Sequence, residues 1–194
     1  MEEGELVERL RKGDEDAFAV LVERYHTQMV RLARTFVPSR SVAEEVVQDT
    51  WVGIIKGIGT FEERSSLRTW MFRILVNQAR KTGVRERRAV AVDDLGVDLP
   101  ERFAADGSWS SPPVPWTDDV VDQLFASAMA EPLRIAIEAL PTNLCRVVTL
   151  RDLEGLSARE VCDVLGLTEA NQRVLLHRAR RQLRRIIEHE IGEG

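Results

Sequence analysis

Arg173, Arg178, Arg180, Arg181, Arg184 and Arg185 crowd one stretch near the C-terminus, with Glu169 the single acid among them before Glu188. Guanidinium groups at helical spacing can hold phosphates and read guanine edges. The residues just upstream indicate how such a row would be carried. Ser157 and Glu160 form an S-x-x-E capping box, and Ala158, Val161, Cys162 and Leu165 follow at the spacing of a helix face. Gly166 can take positive φ, Leu167 plugs the corner, and Thr168 can cap a second helix. A short helix, a glycine turn and a basic helix make a helix-turn-helix, whose second helix enters a DNA major groove. The same pattern also describes a surface helical hairpin with a solvated basic face.

Other chemistries find little support. There is no glycine-rich phosphate loop and no metal-ligand cluster, and His26, His177 and His189 are scattered without a nucleophile–base constellation. No enzyme activity, cofactor or metal is expected. Cys145 and Cys162 fall on apolar helix faces without metal-ligand spacing, which predicts buried structural thiols in a reducing compartment. No apolar run is long enough to span a membrane. The N-terminal MEEGELVERLRKGDEDAF is charged and has no signal-peptide core, so a cytoplasmic, soluble protein is expected.

A net charge of −5 over 194 residues, taken as a total, opposes a nucleic-acid partner, but its distribution removes the objection. Residues 89–131 hold one basic and nine acidic side chains, whereas residues 64–88 hold eight basic groups and one acid, Glu86. Local patches set DNA affinity more than the total does.

The elements that must position these patches read as helices throughout. Leu6 and Leu10 start a stripe over 5–37. Asp14 can cap a second segment carrying Phe18, Leu21, Val22, Tyr25, Met29, Leu32 and Phe36, and Pro38 closes it. Ser41 with Glu44 predicts a capping box for a helix to about Ile58. Its apolar stripe is Val47, Trp51, Ile54, Ile55 and Ile58, and Glu45, Gln48 and Asp49 stand opposite. TFEERSS, 60–66, is a short loop before a third helix from about Leu67 to Lys81. Residues 89–131 contain Pro100, Pro112, Pro113 and Pro115 and should largely lack regular structure, apart from a short helix over 118–130. Pro132 and Pro141 each open a helix ahead of the helix-turn-helix. The expected fold is all-α: two small helical domains, 1–88 and 132–194, joined by a flexible acidic linker over 89–131.

This plan resembles the extracytoplasmic-function sigma factors of bacteria, in the sigma-70 family. AEEVVQDTWVGIIKGIGTF (43–61) looks like the family's region 2.2. FEERSSLRTWMFRILVNQARKTGVR (61–85) looks like regions 2.3 and 2.4. LPTNLCRVVTLRDLEGLSAREVCDVLGLTEANQRVLLHRARRQLR (140–184) looks like region 4. The resemblance implies a factor that binds the β′ and β subunits of core RNA polymerase, melts promoter DNA, and directs initiation while polymerase does the chemistry. Many relatives also have an anti-sigma factor.

On this resemblance Glu45, Gln48 and Asp49 would grip the β′ coiled coil. Glu62, Glu63, Arg64, Ser65 and Ser66 would wall a pocket for a flipped −10 base. Trp70 offers a wedge at the edge of melted DNA or, since 67, 70, 71 and 74 share a face, a plain core residue. Arg73, Asn77, Arg80 and Lys81 would reach phosphates and base edges, with Arg85, Arg87 and Arg88 extending the patch. Lys81 stands where the family often has an acid. Thr168, Asn171, Arg173, Val174 and His177 would face the −35 element, with Arg178 and Arg181 on phosphates. Val174 and Leu175 stand where a small hydroxyl and a basic residue are common, and Gln172 where an aliphatic is. The buried face of that helix is therefore either 172, 176, 179 and 183, or one rotated toward 175. The acidic linker would thread the polymerase cleft or act as a solvated tether. The competing reading is a polymerase-independent helix-turn-helix regulator. The second basic patch and the FEERSSLRTW loop tell against it.

Overall fold

The protein is described by a computed structural model that covers residues 2–89 and 130–192. Expectations about an irregular linker and a helix over 118–130 fall outside the described residues, apart from Ala130. Everything regular among the described residues is helical, as expected.

Among the described residues the N-terminal unit has four α-helices, α1 (Glu3–Arg11), α2 (Glu15–Arg34), α3 (Arg40–Gly57) and α4 (Leu67–Ala89), with a 3-10 turn (Ile58–Thr60) after α3. The break between α1 and α2 lies at Gly13, φ +76°, followed by the N-cap Asp14. The Asp14 carboxylate accepts from Ala17 N at 3.0 Å and from Arg9 Nε at 2.8 Å. One expectation is corrected at the start of α3. Ser39, not Ser41, caps it: Ser39 has extended backbone and its Oγ accepts from Val42 N. Ser41 already lies in the first turn against the Ser39 hydroxyl, and Glu44 pairs with Arg40 instead of closing a box. A hydroxyl caps only from the last non-helical position, where it can reach the free amides of the first turn. Helix α4 runs past the expected Lys81 to Ala89, because KTGVRERRA holds no proline and Gly83 weakens a helix without ending it. That glycine has its own reason: a Cβ there would come 2.5 Å from the Phe36 carbonyl oxygen. It lets α4 pass against the α2–α3 corner.

The C-terminal unit comprises α5 (Ala130–Glu138), α6 (Thr142–Val148), a π-helical turn (Thr149–Leu153), α7 (Ala158–Leu165) and α8 (Glu169–Gly192). Helix α5 begins before Pro132, which sits in its first turn where no amide is needed. Both hydrogen bonds of the Ser157–Glu160 capping box form. Gly166 takes φ +68° and Thr168 Oγ1 accepts from Asn171 N, so turn and second cap form as read.

Two apolar clusters organise the described residues. One gathers Leu21, Met29, Leu32, Val47, Ile54, Leu67, Met71, Phe72 and Leu75 from α2–α4. The other gathers Leu133, Ala136, Ile137, Leu144, Cys145, Ala179 and Leu183. The helix-turn-helix residues Leu156, Val161, Val164 and Leu165 belong to the first cluster, not the second. The two helical units are therefore in direct contact, with α7 on α4.

Candidate nucleic-acid interface

Helix α3 turns Val46, Val47, Thr50, Trp51 and Ile54 inward. Glu45, Gln48 and Asp49 stand exposed on its other side. Ile55 does not belong to the buried stripe as expected. It is 55% exposed and, with Val52 at 49%, puts two large apolar groups on the outer face beside those polar residues. The cause is phase: 51, 54 and 58 hold the inner line, and 55 falls outside its arc. Asp49 is joined to α4 by Gln78 Nε2 at 3.4 Å.

The loop after α3 is braced by α1. Arg11 donates to the Phe61 carbonyl at 2.5 Å and pairs with Glu63 at 3.3 Å. Glu3 Oε1 accepts from Leu67 N at 2.9 Å, capping α4 from a distant helix. Glu62 and Arg64 pair with each other at 2.5 Å, and Glu62, Glu63 and Arg64 are exposed. Glu63 takes φ +57°, a left-handed conformation costly for a non-glycine residue. Ser65 and Ser66 are half-buried. Trp70 is also half-buried. Its ring meets Phe61 at 5.1 Å and lies over Gly57, where a Cβ would touch it at 3.4 Å. Further along α4, Arg73, Asn77 and Lys81 share one open face, and Arg80 beside them donates to a carbonyl of α7.

On α8, Thr168, Asn171, Arg173 and Arg181 are exposed, while Val174, His177 and Arg178 are half-buried. The open question of its buried face has a definite answer. Gln172, Ala179 and Leu183 are buried, with Leu175 and Leu176 partly buried on either side. Gln172 leaves Nε2 buried without a partner, as do Nε and Nη2 of Arg178. Burial, then Arg181 and Arg184, lower the His177 pKa and so disfavour its charged form. Arg180 is not a free basic group at all. Its guanidinium grips Asp152 at 2.9 and 2.5 Å, and the Asp152 side chain is 3% exposed. Cys145 is buried as expected, whereas Cys162 is only partly so.

Sequence reasoning missed the residues that join the two units. Thr69 is fully buried, and Arg68, Arg31 and Arg146 each reach across to or from the C-terminal unit. Arg146 donates to the Thr35 carbonyl and stacks 3.7 Å over the Phe36 ring. No spacing rule marks such pairs, since their partners are tens of residues away. Among the described residues no cluster of His, Cys, Asp or Glu could hold a metal, and no helix is long and apolar enough to cross a membrane.

Comparison with known proteins adds the following. Residues 21–89 match the family model for Sigma-70 region 2, and residues 130–183 that for Sigma-70, region 4. The chain is 30% identical over 175 residues to the ECF RNA polymerase sigma-E factor of Salmonella typhimurium, covering 90% of this chain and 88% of the relative. It is 27% identical over 190 residues to the RNA polymerase sigma-H factor of Pseudomonas aeruginosa, covering 98% and 96%. In fold it is similar to CnrH in complex with the cytosolic domain of CnrY, with TM-score 0.61 and 22% identity over 96% of this chain and 97% of that one. It is also similar to the sigma factor RpoE in complex with the anti-sigma factor NepR from Bartonella quintana, with TM-score 0.54 and 19% identity over 87% and 96%.

Proposed function

The chain belongs to the extracytoplasmic-function sigma factors of the sigma-70 family, which bind RNA polymerase and direct promoter-specific transcription initiation, and we propose how its own residues divide that work. Residues 1–88 form the unit that binds core polymerase and opens the −10 element, and 132–194 the unit that reads the −35 element. The outer face of α3 docks on the β′ subunit through Glu45, Gln48 and Asp49. The loop 62–66 and Trp70 hold the opened −10 strand, and Arg73, Asn77, Arg80 and Lys81 line its path. The N-terminal half of α8 enters the major groove, with Arg173 and Asn171 best placed for base edges. The chain is an initiation factor and not an enzyme, it works in the cytoplasm where polymerase is, and an anti-sigma factor is a partner of the same kind as NepR in its complex.

The observation that carries this reading is the α3 face. Two exposed aliphatic side chains, Val52 and Ile55, flanked by acidic and amide groups, form an apolar centre with a polar rim. Such a face suits a protein partner, and polymerase is the partner that the family membership supplies. The test is a Gln48→Lys, Asp49→Lys double variant assayed for core binding and for transcription with mapped start sites. Core affinity should fall while helicity holds. Unchanged affinity would remove this face from the polymerase interface.

A further inference from the structure

A cleft of about 900 Å³ opens where α2 and its turn into α3, residues 26–40, face α5, α6 and the π-helical turn. Arg31, Arg34, Arg40 and Arg134 line it, against two carboxylates, Glu44 and Glu138. None of these residues belongs to the polymerase face or to either promoter-reading surface assigned above. The cations outnumber the acids even when Glu154, behind Arg31, is counted with them. In a chain of net charge −5 this is a local positive site. Other parts of its wall are apolar, with Val30, Val37, Ile137, Leu140 and Leu153, and the Cys145 side chain lies there too.

The guanidinium groups have donors to spare, since each carries several N–H groups in a planar fork. Among the described residues Arg31 makes one ion pair, with Glu154 at 3.3 Å, and Arg34 makes one, with Glu138 at 3.3 Å. Arg40 reaches Glu44 through Nε, at 2.8 Å. Arg134 of α5 reaches the same Glu138 Oε1 as Arg34 of α2, at 2.7 Å. Two forks from two helical units thus converge on one carboxylate oxygen. Glu138 is half-exposed, so its side chain can turn to solvent and leave that place to another oxyanion. A phosphate brings more charge and more acceptor oxygens than a carboxylate, and it fills a guanidinium fork with two parallel bonds. Arg31 and Arg34 stand three positions apart on one face of α2, the spacing that lets neighbouring phosphates be held side by side.

We infer that this cleft binds a free nucleoside diphosphate or triphosphate, with its phosphates on Arg31, Arg34 and Arg134 and its base against the apolar wall. The volume is that of a small-molecule site, which runs from about 300 to 1,000 Å³. A bare inorganic anion would leave the apolar wall unused. A long-chain acyl anion would leave most of the four guanidinium groups unanswered. A nucleotide meets both, because its base and sugar bury apolar surface while its phosphates answer the arginines.

The test uses the full chain and ADP, with inorganic pyrophosphate as the head group alone and adenosine as the body alone. Isothermal titration calorimetry reads binding. Modification by N-ethylmaleimide, followed by mass spectrometry of peptides, reads its place. Cys145 lines the cleft and Cys162 does not, so each molecule carries both reporter and control. The expected result is a Kd for ADP of about 0.1 mM or below, competition by pyrophosphate and much weaker binding of adenosine. At ten times its Kd, ADP should slow modification of Cys145 about tenfold and leave Cys162 unchanged. Arg34→Gln with Arg134→Gln should weaken ADP binding at least about tenfold, because charge-assisted contacts are lost. Lys12→Gln with Lys56→Gln removes the same charge from exposed positions outside the cleft and should change it by less than about twofold. Circular dichroism checks that each variant folds, and the cysteine protection in wild type stands whatever the variants do. The inference is overturned if ADP shows no binding up to about 5 mM, if adenosine binds as well as ADP, or if bound ADP leaves Cys145 unprotected. It is overturned as well if the lysine pair lowers affinity as much as the arginine pair. A short single-stranded oligonucleotide that protects Cys145 where ADP does not would also overturn it, since the arginines would then serve a nucleic-acid path.

Discussion

Replacing Glu160 by Ala removes one carboxylate and three hydrogen bonds, from Ser157 N, Ser66 Oγ and Thr69 Oγ1. Burial pushes this carboxyl up, but the hydrogen bonds from Ser157, Thr69 and Ser66 outweigh it and hold the pKa down at about 2, against an ordinary 4.5. A folded pKa below the unfolded one means stability that is present above the unfolded value and is lost as pH falls through the folded value. The window here runs from about 4.5 down to about 2. Linkage converts that depression into at most about 3 kcal/mol at neutral pH. The side chain keeps some contact with water, so about 1.5–2 kcal/mol is the expected cost of Glu160→Ala. Ser66 and Thr69 hydroxyls stay 2.8 Å apart and can pair with each other, so no orphan adds to it. Ser157→Ala deletes only the hydroxyl that accepts from Glu160 N and should cost about 1 kcal/mol as a lost cap. The remainder measures the grip on α4. Urea denaturation of the full chain at pH 7 and pH 3, with a double-mutant cycle against Thr69→Val, separates the two parts. The Glu160→Ala cost should shrink at pH 3, and the cycle should show coupling of about 1 kcal/mol. A cost equal to that of Ser157→Ala, with no coupling to Thr69, would refute the claim that this carboxylate ties the two units together.

Gly83→Ala should lower stability by about 1–3 kcal/mol in thermal denaturation, although Ala favours helix, because its Cβ would meet the Phe36 carbonyl oxygen at 2.5 Å and backbone cannot easily yield. Arg180→Ala should cost about 3–5 kcal/mol, by leaving the nearly inaccessible Asp152 carboxylate unpaired, and Arg180→Ala with Asp152→Ala should recover much of it. Arg173→Ala should cost about 1–3 kcal/mol at one base position of the −35 element, read by competition binding of base-substituted duplexes. A loss uniform over all sequences would instead make Arg173 a phosphate ligand.

Local signals in the chain determined a great deal. Asp14, Ser157 with Glu160, Gly166 and Thr168 were readable because caps and turns act within four residues, where side chain and amide are already neighbours along the chain. The helix faces around Leu21–Met29–Leu32 and Val47–Trp51–Ile54 were readable for the same reason, since burial imposes a period on consecutive residues. The resemblance to sigma factors rested on three such local patterns in order. Where two caps lay close together, as at Ser39 and Ser41, local reasoning chose the wrong hydroxyl. Only the backbone of Ser39 shows which residue lies just outside the helix.

What the tertiary structure alone decided is which polar groups are spent inside the protein. Arg180 looks in sequence like one more phosphate ligand, and in space it neutralises a buried aspartate. Thr69 carries no local signal in the sequence, and in space it is fully buried with its hydroxyl on Glu160, ninety-one positions away. Ile55 reads as core and faces water, where it can serve a partner. Glu3 reads as part of a charged N-terminus and caps α4. Periodicity and capping depend on spacing along the chain, whereas these pairings depend on which helix faces meet. A packed helical bundle brings residues together at separations that no repeat in the sequence encodes.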